Sequence, residues 1–306
     1  MIEKVDMVIP YVNNKDRVWL DTYVNYCKKH RLYNKIVAMR GNRYDCGDLI
    51  NYQLKLIKKN MPFINKIYLL LSNKEQAPKE LPNNCVIVLH KDFIPRQHLP
   101  TFNSTTIEMF LWNIKNLGEH FIYANDDMLP TQKLQLCNFF AENGKIKIKM
   151  VYNPYSKVGS QFQNQCMNSY QHIYEAKGLS CSKLEYVKPV HSFTPMIKSH
   201  CKEAYDLIKN KINENIWAFR TDYQHNQYIY PIYEMLTFGI EDSDVDFKYV
   251  EINNKEDLDL NHQITCINEI PNYQLYGFVI NELEKLLWEL FCVVLLKTNT
   301  FIFVIL

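Results

Sequence analysis

Residues 121–129 read FIYANDDML, an apolar run that closes on Asn125, Asp126 and Asp127. Neighbouring carboxylates delivered by a buried strand are what a hard divalent cation such as Mg²⁺ or Mn²⁺ needs. Such an ion takes oxygen ligands, one or two of them from protein, and leaves its other positions to water and substrate phosphates. The same Asn-Asp-Asp run also suits a turn or helix cap after a strand, where short polar side chains bond to nearby amides. Upstream, residues 98–108 read HLPTFNSTTIE. Thr105 and Glu108 have the T-x-x-E spacing of a capping box, which gives Glu108 a structural task at a helix start. His98 and Asn103 precede that helix, where an anion could meet its amino end, and both suit a turn equally well. His191 stands in KPVHSFTPMIKSH, an extended Pro-bounded segment ahead of a helix. An imidazole of ordinary pKa is largely neutral at cytoplasmic pH and able to act as general base, although a packed or surface histidine is the plainer reading. Arg220, in WAFRTD, can present its planar fork to a phosphate or pair with Asp222.

The elements around these residues alternate between strand and helix. An apolar run over 5–12 ends at Asn13 and Asn14 and reads as a buried strand feeding a loop, after which Asp16 can cap a helix to about residue 31. Leu49, Tyr52 and Leu56, broadened by Ile50, Leu54 and Ile57, predict a helix over 48–60 that Pro62 stops. Residues 66–72 and 85–89 are apolar runs of strand length, 105–114 reads as helix, and 119–124 as a further strand. That alternation predicts an α/β fold with a parallel or mixed sheet covered on both faces, and ligands at the carboxyl ends of its strands. Over 136–186 the pattern blurs into Gln-, Asn- and Ser-rich stretches, which reads as an insertion or lid-like region. Helical periodicity returns at 196–213, 222–236 and 272–291, a mostly helical C-terminal part.

Composition sets the outer limits. The 306 residues carry 35 basic and 33 acidic side chains, a formal charge of +2, so no global field favours a polyanion and nucleic acid is not the expected partner. Among 8 glycines none forms a P-loop, a G-x-G-x-x-G turn or a G-x-S-x-G elbow. Nine cysteines are scattered without a C-x-x-C, which argues for reduced thiols and a cytoplasmic setting. The first residues, MIEKVDMVIPYV, place Glu3 and Asp6 inside the only apolar run and are not read as a signal peptide. The last stretch, 290–306, is apolar at both ends with Lys297 near its middle. A helix of that length would fall short of the roughly 30 Å hydrocarbon core, leaving a packed tail, an interfacial anchor or a frame-shifted end. The expected organisation is one domain over 1–291 with an atypical apolar tail over 292–306.

In order and wording these segments resemble the Stealth family, bacterial capsular-polysaccharide hexose-1-phosphate transferases related to the lysosomal-enzyme N-acetylglucosamine-1-phosphotransferase. VDMVIPYVNNKD is similar to the family's first region, with Asp6 and Asp16 matching and Tyr11 and Asn14 standing where Trp and Gly are common. The second region runs from Arg43 through RYDCGDLINYQLKLIKKNMPFINKIYLLLS, EQAP, HKDFIP and HLPTFNSTTIE to FIYANDD. HSFTPMIKS resembles the third, FRTD carries the family arginine, and CINE at 266–269 is a faint fourth. The ending CVVLLKTNTFIFVIL departs from the family's Lys-Ser-Ser-Phe-Glu close.

The resemblance implies a Rossmann-like nucleotide-sugar (GT-A-like) mixed sheet flanked by helices. It implies transfer of hexose-1-phosphate from a nucleoside-diphosphate sugar, a UDP-hexose or UDP-N-acetylhexosamine, to a polysaccharide acceptor. It places Asp126 and Asp127 on Mg²⁺ or Mn²⁺, Arg220 on the migrating phosphate, and His191 and Glu108 at the acceptor hydroxyl. Asp6, Asn13, Asp16, Arg43, His98 and Asn103 would bind substrate. The expected location is the cytoplasm, with peripheral contact at the inner face of the membrane left open. A glycosyltransferase that moves sugar alone, and an inactive capsule-assembly or carbohydrate-binding protein, are the alternatives.

Overall fold

The computed structural model describes residues 2–38, 49–155, 159–182, 184–270 and 272–298. Its centre is a five-stranded sheet ordered β3-β2-β1-β4-β8, formed by β1 (Val5–Pro10), β2 (Ile64–Leu71), β3 (Cys85–Leu89), β4 (His120–Tyr123) and β8 (Thr194–Ile197). The first four run parallel and β8 lies antiparallel against β4. The near-continuous apolar runs of β1 and β2 follow from burial on both faces. Val8, Tyr68, Leu70, Phe121 and Tyr123 pack to one side, while Met7, Ile9, Ile67, Leu69 and Ile122 pack to the other. A Rossmann-like mixed α/β sheet flanked by helices is therefore the architecture, with a mostly helical C-terminal part.

Helix α1 (Arg17–Lys29) begins where expected, because the Asp16 carboxylate accepts from the backbone amides of Val18 and Trp19. After α2 (Tyr33–Ala38), α3 (Leu49–Asn60) turns Ile50, Leu54 and Ile57 to the sheet. Its Leu49 and Leu56 pack in a separate cluster with Leu275, Val279 and Leu283 of α9 (Tyr273–Thr298). A second sheet, β5-β10-β9, joins β5 (Met128–Leu129), β10 (Ile264–Glu269) and β9 (Phe247–Glu251); β6 (Met150–Pro154) and β7 (Glu185–Pro189) pair antiparallel.

Several boundaries differ from the sequence expectation. The helix expected over 105–114 is a five-residue α4 (Ser104–Glu108) followed by a 3-10 turn at Leu111–Asn113. Its cap is Asn103, not Thr105, so Glu108 has no capping role. Residues 194–197 form β8 because they complete the sheet edge beside β4. The helical periodicity after them belongs to two short helices, α6 (Lys198–Leu207) and α7 (Lys209–Asn215), joined at Ile208. The later helix, α8, covers Ile229–Thr237. Within 136–186 lies α5 (Gln161–Ala176), opened by a Ser160–Gln163 capping box. It buries Cys166, Tyr170 and Ile173 in the same core cluster as α6 and α8. Among the described residues, no helix is long and apolar enough to cross a membrane.

Candidate active site

The Asn-Asp-Asp run is a turn, and the turn is where the site is built. Beyond β4, Ala124 still bonds to Val8 of β1, and the chain then leaves the sheet through Asn125, Asp126 and Asp127 before re-entering β5. Gln53, a fully buried residue of α3, donates from its amide to the carbonyls of Asn125 and Met128, each at 2.6 Å. On the far side Ile267 of β10 donates to the Asp127 carbonyl at 2.9 Å. Backbone groups outside regular structure must find partners when water is excluded, and here a helix side chain and a strand supply them. The structural and chemical readings of Asn-Asp-Asp thus hold together, since the turn fixes where the carboxylates sit.

Asp127 is half-buried, yet its Oδ1 is sealed from solvent without a hydrogen-bond partner. Burial and then the neighbouring Asp126 charge push its carboxyl up to about 7, against opposing contributions that include the Cys266 thiol and Arg220. An orphaned carboxylate oxygen beside a second carboxylate is a donor set that fits a divalent cation.

His191 lies between β7 and β8, with one ring nitrogen within 4.8 Å of ligand atoms of Asp127 and Cys266. Its Nδ1 lies 3.1 Å from the hydroxyl of the fully buried Tyr228, and its Nε2 lies 3.4 Å from the Asn125 amide. The Phe162 and Tyr249 rings stand edge-on to it at 5.9 Å. This apolar collar, with the charges of Lys188 and Arg220, lowers its pKa to about 4. The ring is neutral at physiological pH and available to take a proton.

Glu108 and Arg220 form the opposite wall. Glu108 is buried, its carboxylate accepting from the Tyr123 hydroxyl at 3.2 Å and the Gln227 amide at 3.0 Å. Burial raises its pKa, against lowering by Arg220 and these donors. Arg220 donates to the Ser104 hydroxyl at 2.5 Å, and Ser104 also bonds to Glu108. The pairing with Asp222 that the sequence permits is not among the described ion pairs. The Arg220 charge acts on Glu108, Asp127 and His191 together, which puts all four within one electrostatic neighbourhood.

The other expected substrate-binding residues divide. Asn13 and Asp16 stand in the loop at the carboxyl end of β1, on the same end of the sheet as Asp126 and Asp127. There Asp16 also accepts from Asn73 at 2.7 Å and Asn13 accepts from the Lys15 amide. Asp6 stands at the other end, level with Phe121 at the start of β4, and accepts from Asn65, Lys66 and Gly118. Roughly six residues of strand, about 20 Å, separate it from Asp127, so its carboxylate closes turns there. Asn103 uses its amide on the cap of α4 and on Gln224 and Trp217, and His98 is stacked on Phe110 at 5.6 Å. Arg43 lies outside the described residues.

Sequence reasoning missed Gln53, Tyr228 and Ser104. Gln53 left one signal, a lone polar residue amid the apolar face of a predicted helix. Cys266 entered only within the faint CINE segment, yet it is fully buried and pairs in register with Met128, one residue past Asp127.

Residues 43–148 match a family model described as Stealth protein CR2, conserved region 2. A capsular polysaccharide phosphotransferase, fcs1, of Haemophilus influenzae is 31% identical over 68% of this chain and 58% of its own length. Another, eps5J of Streptococcus thermophilus, is 28% identical over 72% of this chain and 95% of its own. The chain spans 58% to 60% of the length of the first curated relatives it matches. Among solved structures, a galactosyltransferase, LgtC, covers 92% of this chain and 95% of its own at 10% identity, with a TM-score of 0.41, too low to carry an argument.

Proposed function

From a chain that carries conserved region 2 of the Stealth family over residues 43–148, we propose an enzyme of capsular or surface polysaccharide synthesis. It transfers hexose-1-phosphate from a nucleoside-diphosphate sugar, a UDP-hexose or UDP-N-acetylhexosamine, to a hydroxyl of the growing polysaccharide in the cytoplasm. Similarity to capsular polysaccharide phosphotransferases over about 70% of the chain supports the class of reaction. The single observation that carries the reading is the convergence, at the carboxyl end of a parallel sheet, of a carboxylate pair, a neutral imidazole and a guanidinium.

In this reaction the acceptor oxygen bonds to the β-phosphorus while the bond to the α,β-bridging oxygen breaks. Nucleoside monophosphate leaves, and the hexose stays on its phosphate in a new diester. Catalysis of such a transfer is mostly positioning and charge stabilisation. A Mg²⁺ or Mn²⁺ ion held by Asp126 and Asp127 would supply Lewis-acid charge at the pyrophosphate. Arg220 takes the oxygens of the migrating phosphate, kept in place by Ser104 and, beneath it, Glu108. His191 accepts the acceptor's proton at Nε2 while its Nδ1 is held by Tyr228. The cations that lower its pKa are offset when phosphate arrives, which raises its basicity at the moment it is used. The loop carrying Asn13 and Asp16, with Arg43, holds the nucleotide.

Incubation with a panel of nucleotide sugars and polysaccharide acceptor, read by phosphorus NMR, tests the proposal. A new diester with nucleoside monophosphate is expected, and it disappears with EDTA. Release of nucleoside diphosphate would replace the reading with transfer of sugar alone.

A further inference from the structure

Cys266 sits in this site without a part in the transfer just described. Its Sγ, an Asp127 oxygen and a His191 nitrogen lie within 4.8 Å of one another, although the three residues come from β10, the turn after β4 and the β7–β8 connection. A thiol contributes nothing to a hard cation, which prefers oxygen. Carboxylate, imidazole and thiol together suit a borderline ion of the zinc type, which takes three protein ligands and keeps an open fourth position.

Three features show the donors already arranged. Cys266 is fully buried and fixed by strand register against Met128, so its sulfur has one place to point. His191 has Nδ1 engaged by Tyr228, the kind of outer partner that orients a ligating histidine and leaves its other nitrogen free. Asp127 Oδ1 is sealed and unpartnered. Asp127 and His191 are only half-buried, so the fourth position faces the cleft.

We propose that Asp127, His191 and Cys266 form a three-donor site for a thiophilic divalent cation such as Zn²⁺ or Co²⁺, competing with the oxygen-bound ion of the transfer reaction. As the metal–sulfur bond forms, the thiol proton passes to solvent. Occupancy ties up both His191 and Asp127, so Zn²⁺ arrests transfer. The site rests on the geometry of three donors, and only its inhibitory consequence rests on the function proposed above.

Cobalt titration of the full chain, stripped of metal with EDTA and kept reduced, tests the site. A thiolate-to-cobalt charge-transfer absorption should rise to a stoichiometric end point and be erased by Zn²⁺ but not by excess Mg²⁺. Cys266→Ser should remove the absorption and weaken Zn²⁺ binding by more than about tenfold. His191→Gln, a second variant in case Cys266→Ser does not fold, should keep the absorption while weakening Zn²⁺ to a similar degree. A charge-transfer band that persists in Cys266→Ser, or cobalt bound without one in the unaltered chain, overturns the proposal. Diester formation without the band would sink this site and leave the function standing, whereas the band without any transfer would do the reverse.

Discussion

Replacing Asp127 with Asn should stabilise the protein, and only at neutral and alkaline pH. Burial and the adjacent Asp126 displace the Asp127 carboxyl from an ordinary 3.8 to about 7 in the folded chain. The folded state therefore holds a proton that the unfolded state has given up. Stability falls as pH rises from about 4 to about 7 and the penalty is constant above that. At about 1.4 kcal/mol for each tenfold change in proton affinity, the full displacement corresponds to about 4 kcal/mol. Asp127 as a whole is half-buried, so solvent relieves part of the charge and about 2 kcal/mol is the expected penalty. Asn keeps the shape and removes the charge, leaving Oδ1 as an amide carbonyl that is far less costly to leave unpaired. Urea denaturation without divalent cations, at pH 5 and pH 8, reads the result. Asp127→Asn should exceed the unaltered chain by about 2 kcal/mol at pH 8 and by roughly half of that at pH 5. Equal stability at pH 8, or a gap that does not change with pH, would refute the view that this carboxylate is held charged against its surroundings for the sake of a cation.

Two further perturbations address how the site is held. Gln53→Leu keeps the volume but strips the carbonyls of Asn125 and Met128 of their donor, at about 1 to 3 kcal/mol for each group. A loss of about 3 kcal/mol in urea stability is expected, and one under about 1 kcal/mol would mean that water serves those carbonyls instead. Tyr228→Phe removes the hydroxyl that orients His191 and should lower kcat about tenfold with KM little changed and Tm within a few degrees. An unchanged kcat would take the orientation of His191 out of the mechanism.

The parts of the fold legible in the sequence were those whose pattern is local. The Asp16 cap, the apolar face of α3 and the strands β1 to β4 each declare themselves within about a dozen residues, and the structure has them where the pattern puts them. The short strands β5 and β8 to β10 have no such signal, because their partners are remote in sequence: Cys266 pairs with Met128 and Thr194 with Tyr123. Helix α5 was hidden for a different reason. Its Gln165, Asn168 and Ser169 make it look like loop, yet they bond to Thr221, Asp222, Gln224 and Asn226, the segment just after Arg220. For the candidate site the motifs point to the carboxylates, the imidazole and the guanidinium, whereas Gln53 and Tyr228 are ordinary in sequence and acquire their parts only from packing.

That division follows from what a reactive turn requires. Asp126, Asp127, His191 and Arg220 all stand outside helices and strands, where they can face a cleft, and such segments bring backbone groups that helix and sheet do not satisfy. Buried amides from neighbouring elements satisfy them here. Gln53 serves the Asp126–Asp127 turn, while Gln165 and Gln224 serve the segment around Arg220, where the Gln224 amide also accepts from Asn103 and Thr105. Each buried amide costs desolvation that only a complete set of hydrogen bonds offsets, so a network of this kind is stable in one arrangement. The geometry of the carboxylates, imidazole and guanidinium is thus set by residues that never touch a substrate. Truncating one of those amides should move the site before it unfolds the chain.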